Sequence, residues 1–144
     1  LCAAFLDGHL PHQFKVQSAG FRKDEGKPAA RSIRDHAQTL GLDLSQHRSQ
    51  TVTPALLQWA NLVVYMDGGN KNNLDSMILL NPGLRVRSIG LGSYADPPVK
   101  RIRDPAFYPV VSKQFQDIVE LVIAASRNFV KRLKEEQSKV VELS

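Results

Sequence analysis

The strongest pattern lies near the carboxyl end of the chain. Phe115, Ile118, Val119, Val122, Phe129, Val130 and Leu133 recur at helical spacing and predict an amphipathic helix over 112–136. Ala30, Ile33, Ala37 and Leu40 form a similar stripe over 29–40, closed by Gly41. Leu1, Ala4, Phe5 and Leu6 share one face of a short helix over 1–10, which Gly8 and Pro11 end. Thr53-Pro54 is a helix start, with a capping side chain and proline in the first turn, leading into 55–59. A further helix is predicted over 70–79, before Asn81-Pro82-Gly83.

Between these helices lie candidate strands. The segment 14–18 is short and closed by Ala19-Gly20. The run Leu-Val-Val-Tyr-Met within 61–66 suits a strand buried on both faces, as in a parallel sheet. Over 84–89, Leu84, Val86 and Ser88 alternate with Arg85 and Arg87, the pattern of an edge strand with one wet face. The segments 21–28 and 90–109 are rich in Gly, Pro or polar residues and read as loops. Helices alternating with strands predict an α/β fold: a three-layer α/β/α sandwich around a short parallel sheet, one domain spanning 1–144. Such folds ordinarily open on a strand. This chain opens on a helix, a defect in that pattern.

Composition narrows the picture little. With 144 residues, 42% apolar and 23% charged, the chain has a globular balance. Its net charge of +5 favours anionic partners without choosing among them. There is no finger, basic arm or RNA-binding aromatic signature, so nucleic acid is not an expected partner. The apolar runs 62–66 and 121–125 are too short to cross a bilayer, and no signal peptide opens the chain. A single cysteine, Cys2, permits no internal disulfide and suggests a reducing, cytoplasmic setting. Four scattered histidines give no zinc spacing, so neither metal nor cofactor is expected.

Candidate chemistry is sparse. A phosphatase-type thiolate needs a cradle of backbone N–H groups and an arginine about six positions on. Cys2 is followed by Ala-Ala-Phe-Leu-Asp-Gly and reads instead as a small core residue. Gly90-Leu91-Gly92 lacks the third glycine of a dinucleotide fingerprint, and Pro97-Pro98 follows it rather than a helix. Asp104-Pro105, with Phe107 and Tyr108 beyond, sits after the last strand, where open α/β sheets place ligands. A carboxyl there, partly desolvated by the aromatics, suits a general acid; an ordinary proline-aromatic turn is the plainer reading. Lys100, Arg101 and Arg103 supply positive potential nearby. Ser18 and His47 are either supporting groups or ordinary solvated and capping residues.

Several segments together resemble the low-molecular-weight protein tyrosine phosphatases. Val16-Gln17-Ser18-Ala19-Gly20 resembles that family's Ser-Ala-Gly segment. Gly41-Leu42-Asp43-Leu44-Ser45-Gln46-His47-Arg48 resembles its Gly-(Ile/Leu)-Asp-x-Ser-x-His-(Arg/Lys) stretch. The segment 61–70 resembles the strand ending in Met-Asp-x-x-Asn, Leu91-Gly92-Ser93-Tyr94 the Leu-Gly-Ser-Tyr loop, and Asp104-Pro105 the family's acid. The pieces fall in family order.

The resemblance implies aryl-phosphate hydrolysis, typically of protein phosphotyrosine, through a phosphocysteine intermediate. It assigns the general acid to Asp104, phosphate-loop support to Ser18 and His47, and an aromatic lining of the substrate cleft to Phe107. The departures are also specific. The family's Cys-x5-Arg-Ser-Pro loop, with the first strand before it, has no counterpart here, so that strand is expected to be missing from the sheet, and Leu1–Leu6 resembles the helix just after the loop. Ala106 replaces an aromatic, and Pro28-Ala29-Ala30-Arg31 stands where Asp-Pro-Arg is usual. The expectation is an N-terminally incomplete phosphatase domain, inactive without its nucleophile loop; the alternative is a non-catalytic binding or regulatory module with the same fold. A thiol arsenate reductase would need further cysteines. Substrate, whether phosphotyrosine protein or small aryl phosphate, and oligomeric state stay open.

Overall fold

Helix boundaries follow local capping chemistry closely. The computed structural model describes residues 1–11, 14–22 and 25–143, with side chains to 135. Its helices are α1 (Cys2–His9), α2 (Arg31–Thr39), α3 (Pro54–Trp59), α4 (Gly68–Leu80) and α5 (Lys113–Leu143). The Thr53 hydroxyl accepts the Leu56 N–H at 3.1 Å and opens α3 with Pro54 in its first turn. The Asp67 carboxylate accepts the Asn70 N–H at 2.8 Å, which starts α4 ahead of the predicted Asn70 and draws Gly68-Gly69 into the helix. The Ser112 hydroxyl accepts from the Phe115 N–H at 3.2 Å and caps α5. At the end of α2, Gly41 takes φ +75°. Gly41 N–H then donates to Gln38 O at 3.1 Å and Leu42 N–H to Ala37 O at 2.9 Å, a Schellman closure that a Cβ would strain.

The sheet is narrower than the sequence suggests. Strands β1 (Val63–Tyr65) and β2 (Ser88–Gly90) pair in parallel, Val63 opposite Ser88 and Tyr65 opposite Gly90, with α4 as the crossover. A Cβ at Gly90 would stand 2.9 Å from the Tyr65 ring, so the closing pair needs glycine there. The predicted strand over 14–18 does not form. That segment is extended, and its continuation meets the rest of the chain at an isolated parallel bridge, Gly20 with Thr51. A strand needs a ladder partner, and among the described residues the only sheet is the β1–β2 pair.

For the same reason β1 is half-buried, not buried on both faces: a two-stranded sheet leaves it one unpaired edge. β2 is shorter than 84–89, although the alternation persists, with Leu84, Val86 and Ser88 half-buried and Arg85 and Arg87 exposed. Lys23 and Asp24 of the predicted 21–28 loop lie outside the described residues.

The loop 90–109 carries two 3₁₀ turns, Leu91–Tyr94 and Pro105–Phe107. Gly92 anchors the first. A Cβ there would meet Val99 O at 2.3 Å, and Val99 N–H donates to Gly92 O at 2.9 Å. Helix α5 packs on α1 and on both turns. Its Val122, Ala125, Phe129 and Val130 join Cys2, Phe5 and Leu6 of α1, Leu91 and Ile102 in one apolar cluster. This is an α/β fold in which α5 ties the amino end of the chain to the loop that bears Asp104.

Candidate functional site

Three separated segments meet at the start of α1. The backbone nitrogen of Leu1 is desolvated and lies within electrostatic reach of Asp104. Burial holds the His47 imidazole below its ordinary value, Arg48 acts in the same direction, and His47 too lies within electrostatic reach of the Leu1 nitrogen. Asp104, His47 and the first turn of α1 therefore share one electrostatic neighbourhood. The amino end of a helix offers N–H groups and a positive dipole, the local chemistry that binds a phosphoryl group.

Local geometry explains how each side chain arrives there. The Asp43 carboxylate accepts the Ser45 N–H at 2.8 Å, a bond that also lowers its pKa. The turn continues with His47 N–H to Leu44 O at 3.1 Å, and Arg48 folds back onto Ser45 O and His47 O at 3.1 and 2.7 Å. Those bonds hold His47 half-buried.

Asp104 is placed from the other side. Ile102 N–H donates to Met66 O at 2.9 Å, and Met66 N–H donates to Asn70 Oδ1 at 3.2 Å. The loop that bears Asp104 is thus hydrogen-bonded to the carboxyl end of β1, and Ile102 is buried at 3% exposure as its apolar pin. One sequence signal marks this pin: Ile102 is the lone aliphatic residue among Lys100, Arg101 and Arg103.

One expectation needs correcting. Asp104 is not partly desolvated by aromatics. It is exposed, and its Oδ1 accepts the Ala106 N–H at 2.9 Å as the cap of the 3₁₀ turn. Ala106 brings no ring, Phe107 points to solvent at 72% exposure, and the Tyr108 hydroxyl accepts from Arg103 Nη1 at 3.0 Å. Ser18 is half-buried, and its carbonyl accepts from Gln50 Nε2 at 2.9 Å, beside the Gly20–Thr51 bridge.

Cys2 is a core residue, as its sequence context suggests. It is 7% exposed, and burial raises its thiol pKa although the neighbouring Ser126 hydroxyl opposes the rise. Ser126 is itself fully buried, and its Oγ makes no hydrogen bond of good geometry. Among the described residues no cluster of His, Cys, Asp and Glu has metal-binding geometry, and no helix is long and apolar enough to cross a membrane.

With this geometry in view, the family described as low molecular weight phosphotyrosine protein phosphatase matches the chain over residues 3–139. The chain belongs to that family. A relative from Ralstonia nicotianae, described as a probable low molecular weight protein-tyrosine-phosphatase EpsP, is 38% identical over 76 residues. That match covers 53% of this chain and 52% of the relative, so it spans about half the relative's length.

Solved phosphatases share the fold. The YwlE arginine phosphatase of Geobacillus stearothermophilus superposes with a TM-score of 0.81 at 20% identity, covering 96% of this chain and 86% of that one. The tyrosine phosphatase Wzb of Escherichia coli K30, in complex with sulphate, gives 0.77 at 25%, covering 92% and 87%. The Drosophila arginine phosphatase DARP gives 0.80 at 20%, covering 92% and 88%. At 20% identity the arginine phosphatases speak for the fold alone. As a member of this family, the chain carries Asp104-Pro105 on the loop beside the first helix, where the fold brings distant segments together.

Proposed function

We propose that this chain forms the acid-bearing body of a phosphotyrosine phosphatase that works through a phosphocysteine, with Asp104 as general acid. The observation that carries the reading is the meeting of Asp104, His47 and the first turn of α1 at one place. In the first step a thiolate attacks phosphorus, an S–P bond forms, the P–O bond to the aryl group breaks, and Asp104 gives its proton to the leaving phenolate. In the second, Asp104 takes a proton from water, whose oxygen displaces the thiolate and releases phosphate. His47 and Ser18 are proposed to hold the phosphate-binding backbone, and Phe107 to line the entrance.

Cys2 is not the nucleophile in this reading. Its burial and raised thiol pKa work against a thiolate, and no arginine stands near it in sequence to clamp phosphate oxygens. No Cys-x5-Arg occurs in these 144 residues, so the nucleophile is proposed to come from residues other than these. The same fact favours a second reading, a phosphatase-like binding or regulatory module without turnover. A single cysteine fits the reducing cytoplasm, the compartment proposed for either form.

One experiment separates the readings. The 144-residue chain is expected to show no turnover of p-nitrophenyl phosphate. A form carrying a Cys-x5-Arg loop ahead of Leu1 is expected to hydrolyse it and to lose about 10²–10⁴-fold in kcat on Asp104→Asn. Turnover by the chain alone that vanishes with Cys2→Ser would overturn the assignment of Cys2. An inactive loop-bearing form that is folded and binds phosphate would favour the module.

A further inference from the structure

The loop that bears Asp104 also carries charged and apolar side chains that the reaction does not use. Lys100, Arg101 and Arg103 are all exposed, and among the described residues no carboxylate forms an ion pair with them. Elsewhere on the surface, exposed cations do find carboxylates one helical turn away, Arg31 with Asp35 and Lys71 with Asp75. The contrast has a structural origin. Residues 98–104 are not helical, so no i,i+4 partner faces these cations. Arg103 is further held in place by its hydrogen bond to the Tyr108 hydroxyl across the Asp104-Pro105 turn, at 3.0 Å.

Large apolar side chains stand out from the following turn. Phe107 is 72% exposed and Val111 94% exposed. A small aryl phosphate reaching Asp104 would meet Phe107 at the entrance but neither the cations nor Val111. A polypeptide would meet them all.

We propose that the loop from Lys100 to Val111 is a docking rim for the peptide around a phosphorylated tyrosine, selecting substrates with aspartate or glutamate beside that tyrosine. Lys100, Arg101 and Arg103 meet the flanking carboxylates, while Phe107 and Val111 cover an apolar neighbour. The location rests on the aryl-phosphate reading, because Asp104 marks where the phosphate ester is taken. The selectivity rests on charge complementarity. Each exposed pair contributes little, so preference arises from several cations acting together and must weaken with salt.

The test measures binding rather than turnover. Fluorescence anisotropy follows labelled peptides with tyrosine or phosphotyrosine, each flanked by Glu or by Gln, binding to this chain at low salt. Glu-flanked peptides are expected to bind about tenfold tighter than Gln-flanked ones, phosphorylated or not, and the preference is expected to vanish near 0.5 M salt, where the Debye length is only about 4 Å. The K100E/R101E variant is expected to lose the preference. R85E/R87E, with the same change of net charge on exposed residues away from the rim, is expected to keep it. Thermal unfolding checks that both variants fold.

Equal affinities for Glu- and Gln-flanked peptides, no measurable binding of the Glu-flanked peptide, or a preference lost equally in R85E/R87E would overturn the rim. The phosphoryl group is read separately. Equal binding of tyrosine and phosphotyrosine peptides by a folded form carrying a Cys-x5-Arg loop ahead of Leu1 would count against the aryl-phosphate reading and leave the rim standing.

Discussion

Cys2 and Asp104 bear a thiol and a carboxyl, two group types able to take part in phosphoryl transfer, yet the fold sets them in opposite surroundings. Cys2 faces the α1–α5 seam among Phe5, Leu6, Val122 and Phe129, with its thiol pKa raised by burial. Asp104 is exposed at the head of a 3₁₀ turn, its carboxylate bonded to the Ala106 N–H. Proximity in space does not give equal reactivity. A thiol needs exposure and positive potential to become a nucleophile, whereas an acid needs only a fixed position and access to the leaving group. The seam is built for packing and the loop for access.

The contrast breaks most sharply between two phenylalanines. Phe5→Ala, at a residue 4% exposed, is expected to destabilise the fold by about 3–5 kcal/mol. Phe107→Ala, at 72% exposure, is expected to change stability by less than about 0.5 kcal/mol. Chemical denaturation of both variants checks the pair, and a similar cost for each would mean that the acid loop is part of the core.

The next effect concerns pH. The Cys2 thiol is raised above its ordinary value of 9.0, so the folded state keeps its proton after the unfolded chain has lost it. Its contribution is fully present below about pH 9 and is lost as pH rises through the folded value, by at most about 1.4 kcal/mol per pH unit. Melting curves from pH 8 to pH 10.5 are expected to fall more steeply for the natural chain than for Cys2→Ala. Parallel curves would place the thiol in water.

The smallest effect lies next to that thiol. Ser126 is fully buried with an unpartnered hydroxyl, so Ser126→Ala removes a desolvated polar group at little packing cost. It is expected to leave stability unchanged or raise it by about 1 kcal/mol. A loss of 2 kcal/mol or more would show that the Ser126 hydroxyl bonds firmly to Cys2.

Much of this was legible along the chain because its signals are local. Periodicity, Thr53-Pro54 and the Gly41 stop place the helices within a few residues, since capping and backbone preference act over four or five positions. Asp67 moved the start of α4 because Gly68 and Gly69 read as a loop until the cap formed. The strand over 14–18 misled for the opposite reason. Extended, partly apolar residues become a strand only when another strand lies alongside, and no local pattern reports that.

The same division runs through the site. Sequence alone determined the fold class, the helices, the Asp104-Pro105 segment with its family likeness, and that Cys2 lacks a phosphate cradle. Tertiary structure alone decided that His47 and Asp104 meet at the first turn of α1 while Ser18 is anchored beside Gln50, that Asp104 is exposed, and that Ile102 pins its loop to β1. The physical reason is range. Spacing and capping are short-range properties written in neighbouring residues, whereas solvation and electrostatic neighbourhood depend on which distant segments α5 draws together.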